Sequence, residues 1–135
     1  MIELTLWDFL TVRGENVILR WVKDARLTTR DRAALNQKLA RLRQMDFDLA
    51  IGTKLLAGPI QKHRHIYKLV IHGNVMLRPL LCRGPIHLDA EYTLLLGTIE
   101  KGWRLPAGAL HQAESNRLII IHFPSRRVKH ERIPE

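Results

Sequence analysis

Apolar and polar positions alternate at the start of the chain, where Ile2, Leu4 and Leu6 are separated by polar residues, and this predicts a strand. Val17-Ile18-Leu19-Arg20-Trp21-Val22 is a second β-prone run, and Arg13-Gly14-Glu15-Asn16 between the two reads as a turn, so a strand pair or hairpin is expected. The period then changes. Leu35, Leu39 and Leu42 recur at i, i+4 and i+7 with Ala34 beside them, which is one apolar stripe of a helix. Thr28 supplies its N-cap, and Asp31 three residues on can return the hydrogen bond as in a capping box. The helix is expected to end near Met45, with a short second turn or helix at Leu49-Ala50-Ile51 before Gly52.

Lys54 to Pro59 reads as a connector and Gln61-Lys62-His63-Arg64-His65 as a basic loop. Three strand-like runs follow: Ile66 to Ile71, Val75 to Cys82 and Glu91 to Ile99, with turns at His72-Gly73-Asn74 and Arg83-Gly84-Pro85. Pro106 suits the first turn of a last helix, because the N–H it lacks has no helical partner there. That helix carries Leu110, Ala113, Arg117 and Leu118 toward Ile121, and Pro124 stops it. Ser125 to Glu135 is expected to be a mobile basic tail. This order predicts an α+β fold. Its mostly antiparallel sheet has four or more strands, with an N-terminal helix or helix pair and a C-terminal helix packed on one face. Residues 1–135 form one domain, with an N-terminal strand extension at about 1–14 and the basic tail at about 124–135.

Composition narrows what such a domain can do. The chain has 135 residues, the length of a single domain, and 22 Lys and Arg against 13 Asp and Glu give a formal charge of +9. Twelve of those cations and only six acids fall after residue 60, so the basic excess leans to the second half. A polyanionic partner is implied: nucleic acid, an anionic membrane surface or an acidic protein. Cys82 is the one cysteine, which excludes an internal disulfide or a CxxC metal site and suits a reducing cytosol. No apolar run approaches the ~18 residues of a membrane span. The acidic, non-basic start is unlike a secretory leader.

The chemistry-bearing motifs are few. His63 and His65 lie two apart without a nearby Cys or carboxylate at ligand spacing, and the eleven residues from His111 to His122 fit no helix spacing for a metal. There is no GxSxG, Walker or GxGxxG pattern. What remains is a dispersed basic set with aromatic company: Lys62, His63, Arg64 and His65, then Tyr67 and Lys68, Arg78, and Lys101, Trp103 and Arg104. Converging strand ends and loops can gather these into one concave surface that holds phosphates and stacks bases. With an Arg on the phosphate and a base near a ribose 2′-OH, such a surface can cleave RNA without a metal or cofactor. Each residue also has a plainer role. Strand-edge cations serve solubility and edge protection, and Trp103 is either a stacking platform or a lid on the core. Arg78, in an apolar run, snorkels, pairs with a buried acid or faces a cleft. Cys82 is a small apolar filler.

In order, the chain shows Lys54-Leu55-Leu56-Ala57-Gly58, Ile66-Tyr67-Lys68-Leu69-Val70, Leu77-Arg78, Leu94-Leu95-Leu96-Gly97, then Glu100-Lys101 with Pro106 and Ala113. From about Lys54 to Leu118, this order and spacing resemble the RelE/HigB superfamily of toxin–antitoxin ribonucleases, particularly its phage-derived HigB-like branch. The resemblance implies an α+β toxin fold and a cytoplasmic endoribonuclease neutralised by an antitoxin protein. It implies cleavage of mRNA, often in the ribosomal A site, by 2′-OH attack that leaves a 2′,3′-cyclic phosphate, with no metal, cofactor or membrane. By motif position Arg78 is the strand Arg on the phosphate, Lys101 the second Lys of a post-strand pair and Arg104 a further basic group. Lys62, Arg64 and Lys68 contact the RNA backbone, Tyr67 and Trp103 contact bases, and His65 or His72 transfers the proton. Val70 stands where many members have Arg, Glu100 replaces the first Lys of the pair, and Pro79 removes a ladder donor beside Arg78. The alternatives are a non-catalytic RNA- or DNA-binding regulator on the same fold, or a phage-derived adaptor whose basic face meets an acidic protein.

Overall fold

A computed structural model describes residues 3–73 and 75–135, so the expected parts of Ile2 in the first strand and Asn74 in a turn lie outside the described residues. The fold is α+β. In chain order the elements are β1 (Thr5–Phe9), α1 (Val17–Asp24), α2 (Thr29–Arg43), α3 (Phe47–Gly52), β2 (Leu56–Ala57), β3 (Tyr67–Leu69), β4 (Met76–Leu77), β5 (Leu80–Arg83), β6 (Glu91–Leu96), β7 (Ile99–Glu100), α4 (Ala109–His122) and β8 (Arg127–Lys129). Six strands form the main sheet in the order β2-β3-β5-β6-β1-β8, and β4 pairs with β7 in a separate ribbon. Only β1 with β6 is parallel among the described pairings; the rest are antiparallel.

Local chemistry accounts for the helices. Thr28 and Asp31 form the expected capping box, each side chain accepting from the other's backbone amide at 3.1–3.2 Å. Leu35, Leu39 and Leu42 are buried beneath α2, and α3 begins on Asp46, whose carboxylate accepts from the Leu49 amide at 2.8 Å. The run at 17–22 is helix α1 and not the second arm of a hairpin. Asn16 Oδ1 accepts from the amides of Ile18 (2.9 Å) and Leu19 (3.1 Å), which starts a helix, and Ile18 and Val22 at i, i+4 then share the buried face. Cap and burial together outweigh the β-branched preference. At the other end, α4 starts three residues beyond Pro106, since Gly108 sits at its N-cap in a left-handed conformation (φ 79°).

Three further expectations are corrected. Helices cover both faces of the sheet, not one: α1, α2 and α3 pack on Leu6, Leu69, Leu81, Tyr92 and Leu94, whereas α4 packs on Phe9, Ile66, Leu80, Cys82 and Leu95. The run from Val75 to Cys82 is two strands, broken at Arg78-Pro79, because Pro79 has no N–H to continue a ladder. Finally, neither end is peripheral. β1 lies inside the sheet between β6 and β8, and the residues expected to form a mobile tail are docked.

Three contacts dock them. Arg127 donates to both oxygens of the buried Glu91 (2.5 and 3.2 Å) while its guanidinium lies 4.1 Å from the Trp7 ring centre. His130 Nδ1 lies 2.9 Å from the carboxylate of Asp8, which also accepts from Asn16 Nδ2. The Asn36 amide pairs with both backbone groups of Ile133 at 2.8 Å, and the Ile133 side chain is buried in the core.

Two predictions follow from this packing. A Cβ on Gly97 would fall 2.0 Å from the Trp21 ring of α1. Gly97→Ala is therefore expected to destabilise the fold by at least roughly 1–3 kcal/mol in urea unfolding, and Trp21→Ala in the same chain to relieve most of that strain. Burial favours the protonated form of Glu91, but the Arg127 hydrogen bonds and charge and the amides of His87 and Ile86 outweigh it and hold the carboxyl below its ordinary value of 4.5. A folded-state pKa below the unfolded one stabilises above the unfolded value and is lost as pH falls through the lowered one. The stability gap between wild type and Glu91→Gln is thus expected to be full at neutral pH and to shrink below about pH 4.5.

Candidate functional site

Part of the second-half basic set gathers where β3, the turn after β7 and the start of α4 meet. After β7 the chain reverses through Gly102 and Trp103, both with positive φ (55° and 65°), while Lys101 and Arg104 exchange backbone hydrogen bonds at 2.9 and 3.0 Å. This is a two-residue hairpin of the type whose twist suits antiparallel strands. The second central position favours Gly or Asn; a bulky residue in the left-handed region costs about 1–3 kcal/mol. Trp103 is nevertheless there, and its side chain gains no burial in return, being 90% exposed. Of the two roles open to Trp103, a core lid is excluded.

Beneath the hairpin is a cavity of about 510 Å³. The hairpin, Ile60–His63 and the first turn of α4 wall it, and Lys68 reaches it from β3. Gly108 gives the start of α4 no side-chain cap, and residues 107–111 at that positive end of the helix line the cavity. His63 and His111 line it from loop and helix. The loop is firmly built, with Ile60 N, His63 N and Ile66 N donating to Ile66 O, Ile60 O and His63 O at 2.9–3.0 Å.

Arg78 is placed differently from an open strand Arg. It is buried, its Nε donates to Glu100 Oε2 at 2.8 Å, and its Nη1 donates to the carbonyls of Ile71 and Leu77, both at 2.8 Å. Of its three possible roles, it pairs with a buried acid. Glu100 also receives Lys68 Nζ at 3.4 Å, so one carboxylate carries two cations and the cluster keeps a net positive charge at the cavity. Arg78 thus touches the cavity only through Glu100.

The other expected residues divide between two places. Lys68, Trp103 and Arg104 meet at the cavity, and Lys101 lies on the hairpin's far flank beside Trp21 and Gly97. Arg64, His65 and Tyr67 face a second groove across the 60–66 loop, where Arg83 and Arg117 join them. Lys62 is exposed on that loop, and His72 is exposed beside the β3–β4 connection, in a hollow with Thr28 and Arg30. Burial, reinforced by Arg117 and Arg64 and opposed by Glu114, lowers the His65 pKa; burial also raises that of Tyr67. Cys82 is wholly enclosed and pushed up to about 12, so its thiol stays protonated.

Sequence reasoning gave no site role to His111, Arg83 or Arg117, and noted Glu100 only as the residue in place of the first Lys of a pair. Only Glu100 left a signal, as an acid in an otherwise basic stretch. Among the described residues no three His, Cys, Asp or Glu come together as a metal-binding group, and no helix is long and apolar enough to cross a membrane. The chain matches no protein-family model, no curated protein and no solved structure.

Removing Glu100 would leave Arg78 buried without a counter-charge. Glu100→Ala is expected to cost about 3–5 kcal/mol in urea unfolding, and Arg78→Met in the same chain to recover much of that loss. An additive double mutant would show that the pair is not coupled.

Proposed function

We propose that this chain is a metal-independent endoribonuclease of the toxin type, acting on single-stranded RNA drawn through the cavity under Trp103. The observation that carries the reading is Trp103 itself, a fully presented indole on a strained turn between two cations, above a positively charged cavity. A single strand supplies what that surface lacks, bases to stack on the indole and phosphates for Lys68, Arg104 and the α4 N-terminus. The RelE/HigB-like order of motifs from Lys54 to Leu118 supports the same reading, together with its corollaries: a cytoplasmic site of action, mRNA in the ribosome as substrate and an antitoxin partner.

In the proposed reaction the ribose 2′-oxygen forms a bond to phosphorus as the bond to the 5′-oxygen breaks, leaving a 2′,3′-cyclic phosphate and a 5′-hydroxyl. A base removes the 2′ proton and an acid returns one to the 5′-oxygen. His63 and His111 are the groups at the cavity suited to those two roles, and Lys68 and Arg104 to the charge that builds on the phosphate. Arg78 is then a positioning residue acting through Glu100, while Lys101 on the flank and Lys62 on the loop guide the RNA backbone. A second reading, RNA binding without cleavage, is favoured by one feature: Arg78 spends its hydrogen bonds inside the protein.

Purified protein with a labelled single-stranded RNA tests both readings. The expected products are a cyclic phosphate and a 5′-hydroxyl in the presence of EDTA, with cleavage lost in His63→Ala or His111→Ala. Trp103→Ala is expected to weaken RNA binding by about 1–3 kcal/mol, roughly 5- to 150-fold, without loss of stability. Salt-sensitive binding with no product would sink the nuclease reading and leave the binding one.

A further inference from the structure

We propose that the groove across the 60–66 loop is a second phosphate-binding site, which extends the RNA track beyond the cavity under Trp103. This rests on the reading of that cavity as an RNA site. The groove encloses about 390 Å³, and none of its lining residues is acidic. Three guanidiniums meet there from three separate parts of the fold: Arg64 from the loop, Arg83 from β5 and Arg117 from α4.

Their neighbours occupy them only in part. Arg117 has one long contact to Glu114 (3.4 Å), and Arg83 pairs with the exposed Asp89 and the Leu88 carbonyl. Arg64 has no hydrogen-bond or ion-pair partner among the described residues. Phe47 and Tyr67 form an edge-to-face pair 5.0 Å apart on one wall, and Arg83 lies 4.9 Å from the Phe47 ring centre. That contact and the Leu88 and Asp89 bonds fix the guanidinium in place and leave its Nη1 for a phosphate.

Continuity selects RNA over a free anion. The hydrogen-bonded loop is the common wall, with Gln61 and His63 lining one side and Arg64 and His65 the other, and Lys62 is exposed on the same loop. Along α4, His111 and Arg117 mark the two sites, about 9 Å apart at 1.5 Å per residue. That is roughly three nucleotides at a stacked spacing of 3.4 Å. A single strand can bend over a loop of this size, whereas a duplex cannot.

Fluorescence anisotropy with labelled single-stranded RNAs of about three and about ten nucleotides, lengths that bracket the spacing, tests the proposal. Wild type is expected to bind the longer RNA about tenfold or more tightly, with a salt slope steeper by at least about one. Arg64→Glu, a change on an exposed loop, is expected to remove most of that advantage and to weaken the short RNA at most about threefold through general charge. Trp103→Ala is expected to weaken both. The His65 ring is a local reporter: a phosphate beside it offsets Arg64 and Arg117, so its NMR titration midpoint is expected to rise with the longer RNA. Equal affinity for the two lengths, or an equal loss on both in Arg64→Glu, would overturn the second site and leave the first standing. No binding of either RNA by wild type would overturn both. A His65 response to a polyglutamate peptide but not to RNA would overturn the proposal and assign the groove to an acidic protein.

Discussion

Glu100 accepts two buried or half-buried cations, and the place of the Trp103 turn beside the cavity depends on that. Burying an ion cluster is a poor way to gain stability, because desolvation offsets most of the Coulomb attraction. What it supplies here is position. Arg78 reaches Glu100 where the strand run is interrupted at Pro79, and its Nη1 holds the carbonyls of Ile71 and Leu77. The backbone of Arg78 exchanges hydrogen bonds with Thr98, through the Thr98 carbonyl at 2.8 Å and hydroxyl at 2.6 Å. Those bonds hold the ribbon of β4 and β7 beside β3, so the Trp103 hairpin overhangs the cavity that Lys68 reaches.

How much of this was legible depends on the range of the interactions involved. α2 was readable because its cap, its stripe and its end lie within fifteen or so residues. α1 reads as a strand from its β-branched run, with Asn16 as a turn residue, whereas Asn16 caps a helix whose i, i+4 apolar pair is buried. The final residues were misjudged for another reason. Arg127, His130 and Ile133 look like a solvated tail until they meet Glu91, Asp8 and Asn36, and those partners lie at least 36 positions away in the chain.

The site was legible in residue type and not in partition. Tyr67 and Lys68 are neighbours in a strand, so their side chains emerge on opposite faces, and a period of two already separates the groove from the cavity. The turn within 60–66 does the same for His63 against Arg64 and His65. Arg78 shows the limit of reading chemistry from charge alone: the same guanidinium that suits a phosphate also suits a buried carboxylate, and an acid 22 positions downstream decided between them.

The interior place of β1 bears on how the chain folds. Thr5 must wait for Glu91, and Trp7 for Lys129, before the first strand has either neighbour. Four of the six strands, β2, β3, β5 and β6, can assemble from nearer contacts, but β1 and β8 join only through pairings that span most of the chain. High contact order of this kind slows folding. It leaves β1, with the apolar faces of Leu6 and Phe9, unpaired through the early stages, and makes that strand the element most exposed to mispairing before the sheet is complete.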